Sequence, residues 1–223
     1  MQALRPRLIA AAALAVAYVA LTMAVGAGMF EALDKQVLMG MAALWSDSLH
    51  PLFQAIAELG SLELTTILMI ALGLYLLRSG FGSDAWVVLA FVAAQALELL
   101  YKANLHHPGP PQTVSHTDGP SVTELVAGTK AIANSFPSGH VVRAVIAYGL
   151  IAFVVQRLAP WPMARALAIP VATVLILLVV FDRLYLDLHW ESDVIGGLLL
   201  GAIALLAGTV WLDRPLAGRG GEN

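Results

Sequence analysis

No cysteine occurs among the 223 residues, which excludes a disulfide framework, a thiolate nucleophile and any cysteine-based metal site. Charge is scarce as well. Only 12% of the residues are charged and 59% are hydrophobic, where soluble domains have about 25% and about 45–50%. A formal net charge of -3 provides no broad basic field, so nucleic acid is excluded as a partner. No H-E-x-x-H occurs, and His106 and His107 are adjacent rather than a helical turn apart, so neither a metal site nor a cofactor is expected. No fixed-period repeat is present, which removes a solenoid.

What the chain has instead is a series of long apolar runs. The first, Leu8 to Phe30, follows Arg5 and Arg7. It exceeds the roughly 7–15 apolar residues of a signal peptide and reaches the roughly 20 that cross a bilayer. Five more follow at Leu62–Leu77, Asp84–Tyr101, His140–Gln156, Ala164–Phe181 and Glu191–Leu212. The expected fold is all-α: a polytopic membrane protein with a six-helix transmembrane bundle, forming one domain over residues 1–223. Residues 31–61 mix Trp45, Leu49, Phe53, Ile56 and Leu59 with polar residues, as an interfacial helix does. Arg5, Arg7, Arg78, Arg157, Arg165, Arg214 and Arg219 fall on one side of this bundle, so both termini are expected in the cytoplasm. The Pro-rich loop 103–139, between the third and fourth helices, is then extracytoplasmic. Gly197 and Gly201, four apart, are suited to close helix packing inside the bundle.

The few ionisable residues gather at the outer ends of the third, fourth and sixth helices. Glu98 and Lys102 end the third, His140 and Arg143 begin the fourth, and "FDRLYLDLHWESD" leads into the sixth. Charge is costly in a membrane, so such a convergence marks a functional site. Lys102, Arg143 and Arg183 are cations, and a helix starting at Pro137-Ser138-Gly139 aims free backbone N–H groups at the same place. Gly139 permits close approach of a phosphate, and the Ser138 hydroxyl can donate to it. The result is a receptor for an anion. His189 and Asp193 are four apart, which lets the carboxylate hold Nδ1–H and leaves the Nε2 lone pair free to attack. His140 can then give a proton to a departing oxygen. Two histidines beside a phosphate cradle suffice for double displacement at phosphorus.

In these residues the chain resembles the type 2 phosphatidic acid phosphatase family, whose pattern is K-X6-R-P, P-S-G-H and S-R-X5-H-X3-D. The second part is intact as Pro137-Ser138-Gly139-His140. The third appears as Asp182-Arg183, then His189 and Asp193 at the family spacing. In the first, Lys102 is followed after six residues by Gly109-Pro110, so glycine stands where the family has arginine, and Asp182 stands where it has serine. The resemblance implies a metal-independent membrane phosphatase for a lipid phosphate, set among membrane lipids. His189 would be the nucleophile, Asp193 its orienting partner and His140 the general acid, with Lys102, Ser138, Gly139 and Arg183 binding phosphoryl oxygens. Arg143 or His107 is expected to supply the charge that Gly109 omits. The lipid could be a polyprenyl diphosphate, a phosphatidylglycerol phosphate or phosphatidic acid. Transfer to a second lipid, or binding by a decayed site, uses the same residues. A transporter would need polar residues through the inner half of the bundle, and those halves are apolar.

Overall fold

The computed structural model describes residues 4–111 and 134–214, and among these every regular element is helical. The central part of loop 103–139, with Arg219 and the rest of the C-terminus, lies outside the described residues. In chain order the helices are α1 (Leu4–Gly26), α2 (Glu31–Ala42), α3 (His50–Ala57), α4 (Leu62–Arg78), α5 (Val88–Asn104), α6 (Gly139–Leu158), α7 (Pro162–Tyr185) and α8 (Glu191–Leu212). Short 3-10 turns at Glu58–Gly60 and Gly82–Val87 lead into α4 and α5. With α3 and α4 counted as one stretch, six segments are long and apolar enough to cross a membrane.

Helix α6 forms the centre, buried at most positions from Val141 to Val154, with α4, α5, α7 and α8 packed around it and α1 against α8. Lipid supplies no hydrophobic drive between helices, so close packing must hold the bundle together. Gly197 and Gly201 allow it: a Cβ on either would come within 2.9 Å of Val141 Cβ or 2.7 Å of Val145 Cβ on α6. Large apolar side chains such as Ile9, Val16, Ile70, Leu74, Leu167 and Leu177 point outward, as a lipid-facing surface requires.

The segment between α1 and α4 folds over one end of the bundle. Phe53 on α3 and Trp45 pack on Tyr185 at ring-centroid distances of 4.0 and 5.3 Å, and Ser46 N donates to the Tyr185 hydroxyl at 2.9 Å. Leu33, Met39, Leu44 and Leu52 remain exposed on the same segment, giving the two-sided character expected of an interfacial element. At the opposite end, Asp84 is buried between Arg157 and Arg214, at 3.2 and 3.4 Å. An apolar groove of about 480 Å³ near that end, between α5 and α8, is lined by Trp86, Val87, Gly208 and Trp211 among others, with no ionisable group in its wall among the described residues.

Candidate active site

The residues singled out by the sequence meet at one end of the bundle, where α5 and α7 finish and α6 and α8 begin. Glu191 and Asp193 occupy the first turn of α8, and Asp193 Oδ2 accepts from Trp190 N at 3.0 Å, tying down the start of its own helix. The same oxygen lies 3.2 Å from His189 Nδ1. A carboxylate only accepts, so Nδ1 carries the proton and Nε2 presents a lone pair. Burial pushes the His189 imidazole below its usual range; the hydrogen bond and charge of Asp193 pull it back up, and Lys102 and Arg183 push it down. Burial thus favours the neutral ring.

Asp193 Oδ1 faces a second imidazole, with His107 Nε2 at 3.3 Å. The separation suits an ion pair, although the angles do not make it a hydrogen bond. His107 is held there by a short pairing of the two described ends of the loop. Its N–H donates to Asn134 Oδ1 at 3.0 Å, its carbonyl accepts from Ser135 N at 2.8 Å, and Trp190 Nε1 donates to the next carbonyl, of Pro108, at 2.8 Å.

The cations arrive already paired. Lys102 Nζ is 2.9 Å from Glu98 Oε1, one turn earlier on α5, and Arg143 Nη1 is 3.4 Å from the other oxygen. Arg183 Nε donates to Asp182 Oδ2 at 2.8 Å. Arg183 and Asp182 are both buried, so removing one would strand the other, at a cost of about 3–5 kcal/mol. Gly139 opens α6 directly against Glu98, and a Cβ there would overlap the Glu98 carboxyl group. Ser138 is buried, and its hydroxyl has no hydrogen-bond partner among the described residues. His140 sits within electrostatic reach of Arg183, Arg143, His189 and Lys102.

Two expectations change. Arg143 does not stand free to replace an arginine at Gly109. Its guanidinium is committed to Gly60 O at 3.0 Å, Gln95 Oε1 at 3.1 Å, Glu98 and His140 Nδ1. His107 is likewise turned toward Asp193. Nor do the outer ends of only three spans supply the charged residues: Asp182 and Arg183 lie in the last turn of α7, the fifth span, which runs on to Tyr185. Their mutual neutralisation lets the helix continue through them.

Asp34 was not legible as part of this site. It projects from α2 and accepts from both Ser192 N and Ser192 Oγ at 2.9 Å, capping α8 beside Asp193 across 158 positions of sequence. Burial pushes its carboxyl above the usual range, against the downward pull of the Ser192 hydrogen bonds. Asp34→Ala should lower stability by about 1–2 kcal/mol, the worth of a helix cap. Asp34→Asn, which still accepts from Ser192 without a charge to desolvate, should retain most of it. Thermal unfolding of the two variants tests this.

A family model for the PAP2 superfamily matches residues 83–216. Over 70 residues the chain is 39% identical to phosphatidylglycerophosphatase B of Bacillus subtilis (strain 168), a match covering 31% of this chain and 34% of that protein. It thus spans about a third of the relative's length. Among solved structures, the fold is similar to a transmembrane PAP2-type phosphatidylglycerolphosphate phosphatase from Bacillus subtilis, with a TM-score of 0.75 and 20% identity, covering 89% of this chain and 94% of that one.

Proposed function

The chain belongs to the PAP2 superfamily, and from that premise we propose that it is a metal-independent lipid phosphate phosphatase working through a phosphohistidine. The observation that supports this most is His189, whose Nδ1 lies against Asp193 at 3.2 Å, with Lys102 and Arg183 within electrostatic reach of the ring. In the first half-reaction Nε2 of His189 attacks phosphorus, the bond to the lipid oxygen breaks, and that oxygen takes a proton from His140. Water then attacks the phosphohistidine, gives a proton back to His140 and releases inorganic phosphate. Lys102, Arg183 and the N–H groups opening α6 offset the charge on the phosphoryl oxygens. The Ser138 hydroxyl supplies one more donor.

The relatives' names make phosphatidylglycerophosphate the first substrate to try, with phosphatidic acid and a polyprenyl diphosphate beside it. Phosphate release by purified protein in detergent, with excess chelator, tests the reading. Release from at least one of these lipids is expected, and none from any would sink it.

The site is proposed to face away from the cytoplasm, with both termini inside. Arg7, Arg157 and Arg214 gather at the end opposite the histidines, the arrangement that the bias of basic residues toward the cytoplasm favours. The absence of native cysteine makes this simple to check. A membrane-impermeant maleimide should label Ser48→Cys on intact cells and Ser79→Cys only after permeabilisation; the reverse pattern would invert the topology.

A further inference from the structure

The two histidines of the site have partners of opposite kind. His189 Nδ1 faces a carboxylate, whereas His140 Nδ1 lies 3.2 Å from Nη2 of Arg143. Arginine is permanently charged and has only donors. A proton on His140 Nδ1 would set N–H against N–H and cation against cation, so Nδ1 must accept.

The guanidinium cannot readily turn away. Nε donates to Gly60 O, and Nη1 to Gln95 Oε1 and Glu98 Oε2, at 3.0, 3.1 and 3.4 Å, and the side chain is only 7% exposed. Gly60 also crowds the histidine: a Cβ on Gly60 would come within 3.0 Å of His140 Cβ. The charged and titratable groups around the ring are Arg143 on its own helix, Lys102 on α5, Arg183 on α7 and His189 before α8, with Glu98 on α5, Asp182 on α7 and Glu63 on α4 beside these cations. The nearest anions are spent on the cations, Glu98 on Lys102 and Arg143 and Asp182 on Arg183. All of this opposes a second proton on the ring.

We infer that Arg143, held by Glu98 and Gln95, fixes His140 as a neutral imidazole with its single proton on Nε2. Arg143 is thus a positioning residue for the proton donor. The tautomer follows from the contacts alone; its catalytic consequence rests on the phosphatase reading above. As His189 Nε2 forms its bond to phosphorus and the P–O bond breaks, the leaving oxygen's electron pair takes the Nε2 proton of His140. The pair left on that ring is stabilised by the Arg143 hydrogen bond and by the neighbouring cations. It takes a proton from water when water's oxygen attacks phosphorus, and His189 departs with the N–P electron pair. A neutral imidazole has a precedent in polarising a reacting oxygen where its surroundings disfavour imidazolium.

Nitrogen NMR of ring-15N-histidine protein in detergent reads the tautomer directly, with His140→Gln assigning the signals. Wild type should show unprotonated Nδ1 and protonated Nε2, unchanged between about pH 6 and 8, the window in which an unperturbed histidine titrates. Arg143→Met should show mixed tautomers that titrate in this window, while Arg143→Lys, which keeps a donor, should resemble wild type. Nδ1–H or a doubly protonated ring in wild type would overturn the inference, whether or not the protein releases phosphate. Absent turnover with the expected tautomer would count against the phosphatase reading alone. In turnover, Arg143→Met should lose about 100-fold on a lipid alkyl phosphate, within the range of general-acid catalysis, and far less on nitrophenyl phosphate, whose leaving group needs no proton. Equal losses on the two would refute the role in proton donation.

Discussion

His189→Ala is expected to release phosphate from the preferred lipid at least about 10⁴-fold more slowly than wild type, as loss of a nucleophile does in other enzymes. Stability should hardly change. The ring's hydrogen bond is to Asp193 Oδ2, which keeps Trp190 N as a second donor when the imidazole is removed. Parallel phosphate-release and thermal-unfolding measurements separate the two effects; a variant with near wild-type turnover would remove His189 from the mechanism. Burial lowers the His189 pKa in the free protein, so the ring stays neutral as pH falls. The rising limb of kcat/KM should accordingly lie below the ordinary histidine value of about 6.5. A limb displaced upward from that value would contradict the burial argument.

Asp193→Asn should cost about 10³–10⁴-fold in turnover, the scale seen when a histidine-orienting carboxylate is neutralised with its geometry kept. The asparagine oxygen can accept from His189 Nδ1 and Trp190 N as the carboxylate does. Its amide group then faces His107. What is lost is charge: the His189 ring becomes positive as it takes the phosphoryl group, and an amide does not stabilise it as a carboxylate does. Asp193→Ala loses the helix tie as well, so it should match the asparagine variant in turnover but unfold earlier, by about 1 kcal/mol. If Asp193→Asn kept wild-type turnover, Asp193 would be a structural cap only. The pair of variants, compared by rate and by melting, assigns each function of this one carboxylate.

Length and apolarity made the spans legible, because few charges interrupt them. The last run, Glu191–Leu212, has the same bounds in the fold as in the sequence. The first is displaced: the run from Leu8 to Phe30 folds as Leu4–Gly26. Arg7 can enter that helix because it reaches Asp213 on the far side of the chain, and Gly28, at φ +71, turns the backbone after the helix ends. The pairing of His189 with Asp193 was readable because both belong to one short segment. The same is true of Glu98 with Lys102, although the second oxygen of Glu98 finds Arg143 only through the packing of α5 on α6. Asp34 with Ser192 and Arg143 with Gly60 depend on tertiary contact from the start. No local spacing announces such pairs.

The most direct test of the mechanism is to quench turnover of a radiolabelled lipid phosphate within milliseconds and locate the label on the protein. An acid-labile, alkali-stable phosphoryl group mapped to His189, and absent from His189→Ala, is the expected result. Phosphate release with no phosphorylated protein at any time, or a label on another residue, would contradict a His189 phosphohistidine.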